Sequence, residues 1–129
     1  MKTIAIFTGL SGFLAVALGA FGAHGLRGSV DPSLLDVWQT AVQYQMYHAL
    51  VLLLIVLAGS LQPLRLLNWA AGLLIAGTLL FSGSLYALVL SGIKTLGMVT
   101  PVGGVLFLLG WLVLSFALVQ WVARRTGGA

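Results

Sequence analysis

Four long apolar runs dominate the chain, and the short links between them carry its charge. The runs cover about residues 3–23, 42–61, 66–90 and 102–122, with no Asp, Glu, Lys or Arg inside any of them. As helices rising about 1.5 Å per residue, each is long enough to cross a hydrocarbon layer of about 30 Å. The punctuation agrees. Asp31-Pro32-Ser33 reads as a helix start, with Asp31 as N-cap and Pro32 at the first helical position, and Thr100-Pro101 does the same before the fourth run. Gln62-Pro63 closes the second run.

A helix continuing from Pro32 to Leu61 would be about 45 Å long, more than a bilayer requires. Residues 32–40 therefore either project from the membrane or form a separate short helix along its interface. Leu34, Leu35, Val37 and Trp38 beside Asp31, Asp36 and Gln39 favour the interfacial helix. The first run has a rival reading as a secretory signal, with Lys2 ahead of it and Ala20-Phe21-Gly22-Ala23 as a small-residue cleavage site. The apolar region of a signal is usually about 7–15 residues, shorter than this one, so the run is expected to remain as the first span. The expected architecture is an all-α integral membrane protein, an antiparallel four-helix transmembrane bundle forming a single domain over 1–129.

Composition sharpens this. The chain is 60% hydrophobic and only 6% charged, with a mean hydropathy of +1.13. Soluble domains are about a quarter charged, so an ordinary soluble fold is excluded. No basic cluster is interleaved with aromatics, which sets nucleic acid aside as a partner. The absence of cysteine removes disulfides, thiolate nucleophiles and Cys-ligated metals. Charge placement suggests an orientation. Four spans put both termini and the 62–65 turn on one side, with Lys2, Arg65, Arg124 and Arg125. Arg27 and Lys94 share the other side with Asp31 and Asp36. Positive residues favour the cytoplasm, so both termini are expected inside. Trp69 and Trp121 then fall at the inner boundary, Trp38 and Tyr44 at the outer one, and Trp111 in mid-span as a packing residue.

Within the spans, small and polar residues are patterned. Ser11, Ala15, Gly19 and Ala23 recur every four residues and are expected to pack closely against a neighbouring helix, as are Gly72 and Ala76. Thr40, Tyr44 and His48 stack at i, i+4, i+8 with Gln43 and Tyr47 beside them, and Thr78, Ser82 and Tyr86 repeat the spacing on the third span. If the second span enters hydrocarbon near Val42, His48 lies roughly 9 Å below the outer boundary, with Tyr86 and Ser82 at roughly 6–12 Å. His24 and Thr100 sit at the outer ends of their helices. The candidate binding set is therefore His24, Gln43, Tyr44, Tyr47, His48, Ser82, Tyr86 and Thr100, gathered in the outer half. Two readings compete: a hydrogen-bonded network fixing helix register, and a pocket for a lipid headgroup, a quinone-like ring or a small solute.

Other chemistries fit less well. His48 could carry protons, but both carboxylates lie in a loop. His24, His48, Asp31 and Asp36 match no local metal motif. Ser82 or Ser84 with His48 as a nucleophile–base pair rests on inventory alone. No enzyme, metal or cofactor is expected. The expected function is non-enzymatic binding of membrane lipids, a hydrophobic small molecule or a partner protein. The alternative is a small transporter or channel subunit, which with four helices would need to form a homo-oligomer, the Ser11–Ala15–Gly19 face serving for contact.

Several stretches also resemble a known family: Gly19-Ala20-Phe21-Gly22-Ala23-His24-Gly25-Leu26, the run from Trp38 to Leu50, Phe81-Ser82-Gly83-Ser84-Leu85-Tyr86, and Thr100-Pro101-Val102-Gly103-Gly104 followed by Gly110-Trp111. They are similar to the small inner-membrane proteins of the bacterial YgdD type, which include a eukaryotic transmembrane relative. The resemblance implies a four-span bacterial inner-membrane protein of a domain-of-unknown-function family, and brings no reaction or ligand with it.

Overall fold

The structure, a computed structural model, describes residues 1–127. Four helices carry the fold: α1 (Lys2–Phe21), α2 (Pro32–Leu61), α3 (Arg65–Ser91) and α4 (Thr100–Thr126). A π-helical turn, Gly22–Leu26, continues α1, and a 3-10 turn, Lys94–Met98, precedes α4. All four helices are long and apolar enough to cross a membrane. The surface confirms the solvent they are built for: Phe13, Leu61 and Val119 are each about 70% exposed, a cost in water and none against lipid tails.

The helix ends follow backbone geometry more than capping side chains. Gly92 stops α3 by adopting a left-handed conformation (φ 71°), its N–H donating to the Leu88 carbonyl. Asp31 stands at the N-cap of α2, but its side chain makes no capping bond; nor does Thr100 cap α4, where it is already helical. Residues 32–40 are not a separate interfacial helix. They are the first turns of α2, which runs unbroken because Trp38 faces inward and is 1% exposed, anchored by its indole N–H to the Leu18 carbonyl at 2.8 Å. Trp38 is thus a core residue and not part of an aromatic belt.

The close helix contacts run in chain order, α1 with α2, α2 with α3, and α3 with α4. Lipid is as apolar as leucine, so close packing rather than water exclusion must hold these pairs together. On α1 the packed stripe is Thr8, Ser11, Ala15 and Gly22. The four-residue spacing Ser11–Ala15–Gly19–Ala23 drifts about 40° per step on a helix of 3.6 residues per turn. Gly19 is consequently half-buried and Ala23 exposed, while Gly22 meets the Trp38 ring so closely that a Cβ would lie 2.6 Å from Trp38 Cδ1. On α3 the close approach is made by Gly77, where a Cβ would lie 2.6 Å from Phe107 Cδ1. Gly72, expected in that role, has open space around it. Gly103 and Gly110 complete this seam, Gly103 lying directly on the Phe81 backbone and Gly110 on Leu74.

Near the chain termini the interior is aliphatic: Leu52, Ile55, Leu67, Ala70, Ala71 and Leu74 pack into one cluster with Phe107, Leu114 and Ala117. Gly22 against Trp38, Gly19 near Val42 and Met1 against Gly59 set α1 alongside residues 38–59 of α2. On that register His48 lies about 15 Å from Trp38, near the middle of the bundle and deeper than an origin at Val42 implies.

Candidate functional site

The polar residues of the spans separate into two groups on different sides of α2. The first joins α1, α2 and α3 through Gln45, which is 6% exposed. Its Nε2 donates to the Ser11 carbonyl at 3.0 Å, and its Oε1 accepts from the Tyr86 hydroxyl at 2.7 Å. Four residues earlier on α2, the Ala41 carbonyl accepts from Ser82 Oγ at 2.7 Å. Trp38 packs edge-on to Tyr86, with ring centroids 4.7 Å apart, and to Phe21 at 5.7 Å. The inward stripe of α2 is therefore Trp38, Ala41, Gln45, at steps of three and four. Thr40, Tyr44 and His48, at steps of four, wind away from it. That winding is why Thr40, Tyr44 and His48 do not face Thr78, Ser82 and Tyr86. Thr40 and Thr78 bond back to their own helices, at the Asp36 and Leu74 carbonyls. Ser11 Oγ is buried in this group without a hydrogen-bond partner.

The second group lies between α2 and α4. His48 stacks on Phe107 of α4 with ring centroids 3.6 Å apart and planes at 7°. Tyr44 stacks on Phe81 of α3 at 4.5 Å and 24°. His48 Nδ1 is 2.7 Å from the Tyr44 carbonyl. A carbonyl only accepts, so Nδ1 carries the proton and Nε2 is left as an acceptor. Nε2 faces the Trp111 indole N–H at 3.4 Å, a long contact compared with the usual 2.9–3.0 Å. Tyr44, His48, Phe81, Gly104, Phe107, Leu108 and Trp111 line a groove of about 470 Å³. The missing side chain of Gly104 helps keep it open, since a Cβ there would reach only Phe81 Cδ2, at 4.0 Å. Tyr44 is 39% and Trp111 46% exposed, so the groove opens on the lipid-facing surface.

The remaining residues expected in one pocket are dispersed. Gln43 and Tyr47 point outward from α2. His24 is exposed in the π-helical turn, on a different element from His48. Thr100 shares a 2.7 Å hydrogen bond with Ser84, tying the start of α4 to α3. Ser82 and Tyr86 belong to the Gln45 group. The structure thus brings Tyr44 and His48 together and adds Phe81, Phe107 and Trp111, which the sequence reading did not assign to the site. The signal for Gln45 was its place in the stripe Trp38, Ala41, Gln45, whose steps of three and four total seven and drift less than repeated steps of four. Among the described residues, no three His, Asp or Glu side chains gather as metal ligands do.

Four apolar helices joined in a bundle, with a lateral aromatic groove and no assembled catalytic cluster among the described residues, define a small α-helical membrane protein. The chain belongs to the family described as protein of unknown function (DUF423), which matches residues 18–104. It is 50% identical to a UPF0382 membrane protein of Staphylococcus aureus over 117 residues, covering 91% of this chain and 95% of the relative. It is also 46% identical to the UPF0382 membrane protein YwdK of Bacillus subtilis over 123 residues, covering 95% of this chain and all of the relative. No solved structure matches it.

Proposed function

We propose that this membrane protein binds a ring-bearing amphiphile, of the quinone-like kind, in the α2–α4 groove, and catalyses no reaction on it. The observation that carries the reading is the combination of volume and lining. About 470 Å³ of laterally open space is floored by Tyr44, Phe81, Phe107 and the His48 ring, with one loosely held donor, Trp111 Nε1, in the wall. Small-molecule sites are typically apolar and aromatic, about 300–1,000 Å³, with a few placed polar groups. A flat ring lying on Tyr44 or Phe81 would gain stacking contact, and its carbonyl or hydroxyl oxygen would accept from Trp111 in place of the long bond to His48.

Other readings have less support. Ser82 and Ser84 spend their hydroxyls on Ala41 and Thr100, so neither is poised beside a base. His48 Nδ1 is committed to the Tyr44 carbonyl, and both Asp residues lie at the start of α2, so no carboxylate stands beside the ring to pass a proton on. A transport path through one bundle meets the aliphatic cluster of Leu52, Ile55, Leu67 and Leu74, each 2% exposed or less. A transporter would therefore need several copies.

We further place the chain in the bacterial inner membrane with both termini cytoplasmic, beside the YgdD-type proteins its motifs resemble, because four cationic side chains and no acid lie at the terminal end. Cysteines at Ser29 and Gly127 test this in intact cells: only Ser29→Cys should react with an impermeant reagent, and labelling of Gly127→Cys alone reverses the orientation. The binding reading is tested by titrating the detergent-solubilised protein with a short-chain benzoquinone while following tryptophan fluorescence. Saturable quenching in the wild type and its loss in Gly104→Leu, which fills the groove, is the expected result. Identical quenching in both proteins rejects the groove as the site.

A further inference from the structure

Away from both polar groups, the terminal end of the bundle holds a positioned guanidinium. The Arg125 guanidinium carbon lies 4.7 Å from the centroid of the Trp121 ring. That ring is itself fixed, since Trp121 Nε1 donates to the Ala58 carbonyl of α2 at 3.1 Å. Arg125 is thus held over an indole that is itself fixed across the α2–α4 contact. Lys2 and Arg65 share this end: Met1 packs on Gly59, one residue past Ala58, and Arg65 opens α3 after the Gln62-Pro63 turn. Arg124 adjoins it, and both Asp residues lie at the other end.

One helical turn below the guanidinium, Val122 is 52% exposed, and Val119 beneath it 71%. A molecule reaching Arg125 with an anionic group would therefore lay its remaining length along apolar helix surface. We propose that Arg125, held on Trp121, binds the phosphodiester of an anionic phospholipid whose acyl chains run down α4 past Val122 and Val119. The phosphate supplies the planar pair of acceptors that a guanidinium matches, and the chains replace bulk lipid along the helix. This site is independent of the α2–α4 groove near His48, so either can fail without the other.

The test uses the full chain in nanodiscs of equal phosphatidylglycerol and phosphatidylcholine, released into a mass spectrometer under native conditions. Wild type should retain phosphatidylglycerol preferentially. Arg125→Gln should weaken that preference about fivefold, the value of about 1 kcal/mol for one cation at a membrane surface. Trp121→Leu, which keeps every charge and removes the platform, should weaken it as well, and Arg27→Gln at the opposite end should leave it intact. An unchanged preference in Arg125→Gln overturns the proposal, as does an equal loss in Arg27→Gln, which would reduce the effect to net charge. Added inorganic phosphate should not displace the lipid; displacement would assign the site to free phosphate and overturn the lipid claim.

Discussion

The two polar regions flanking α2 use similar residues to opposite ends. On the α1–α3 side, Gln45, Tyr86, Ser82 and Trp38 are tied by hydrogen bonds of 2.7–3.0 Å between different helices, three of the four ending on backbone carbonyls. On the α4 side, Tyr44, His48, Phe107 and Trp111 are held mainly by ring stacking, the one interhelical hydrogen bond is 3.4 Å, and a groove stays open beside them. Buried polar groups in a membrane are costly unless paired. Where short hydrogen bonds tie one helix to the next, as at Gln45, Ser82 and Trp38, the residues fix helix register. Where stacking leaves aromatic surface exposed and a donor weakly engaged, they are equipped to take a guest.

Neighbouring glycines on α4 offer the sharpest way to break this contrast. Gly103 lies on the Phe81 backbone, whereas Gly104 faces the groove. Gly103→Leu should cost about 3 kcal/mol or more and keep folded protein from accumulating, because backbone cannot move aside as a side chain can. Gly104→Leu should stay within about 1 kcal/mol of wild type in thermal unfolding in detergent. Equal damage from both would mean that the groove is ordinary packing. Next in size, Gln45→Ala should destabilise by about 1–2 kcal/mol, by breaking two interhelical bonds and stranding the Tyr86 hydroxyl. A double-mutant cycle with Tyr86→Phe should show non-additivity, and strict additivity would remove Gln45 from the network. Trp111→Phe should cost less than about 0.5 kcal/mol, since a 3.4 Å bond contributes little, yet weaken quinone quenching. Smallest of all, Ser11→Ala should be neutral or slightly stabilising, because it removes a buried hydroxyl that has no partner. A clear loss of stability there would mean that the Ser11 hydroxyl does have a partner.

The fold was legible in the sequence because its determinants are local: uncharged runs of sufficient length, punctuated by Pro32, Pro63 and Pro101. The site was legible only in part. Tyr44 and His48 are recognisable as polar residues inside a span, but which neighbour each meets depends on helix rotation. A four-residue spacing accumulates about 40° of drift at every step, enough to move Ala23 out of the packed stripe and to turn His48 from α3 toward α4. Phe107 and Trp111 read as ordinary apolar residues of the fourth span, and only the crossing at Gly77 and Gly103 brings them to His48. Trp38 misled in the same way. A tryptophan near a helix end suggests an interfacial belt, but the small side of Gly22, sixteen residues earlier across a turn and a cap, gives it a place in the core.

The most direct test of the α2–α4 groove as a binding site is a native mass spectrum of the protein taken from its own membrane in minimal detergent, beside Gly104→Leu and His48→Ala. A defined additional mass on the wild type, absent from both variants while their folded state persists, is the expected result. The same mass on Gly104→Leu as on the wild type, or bare protein in all three, would contradict it.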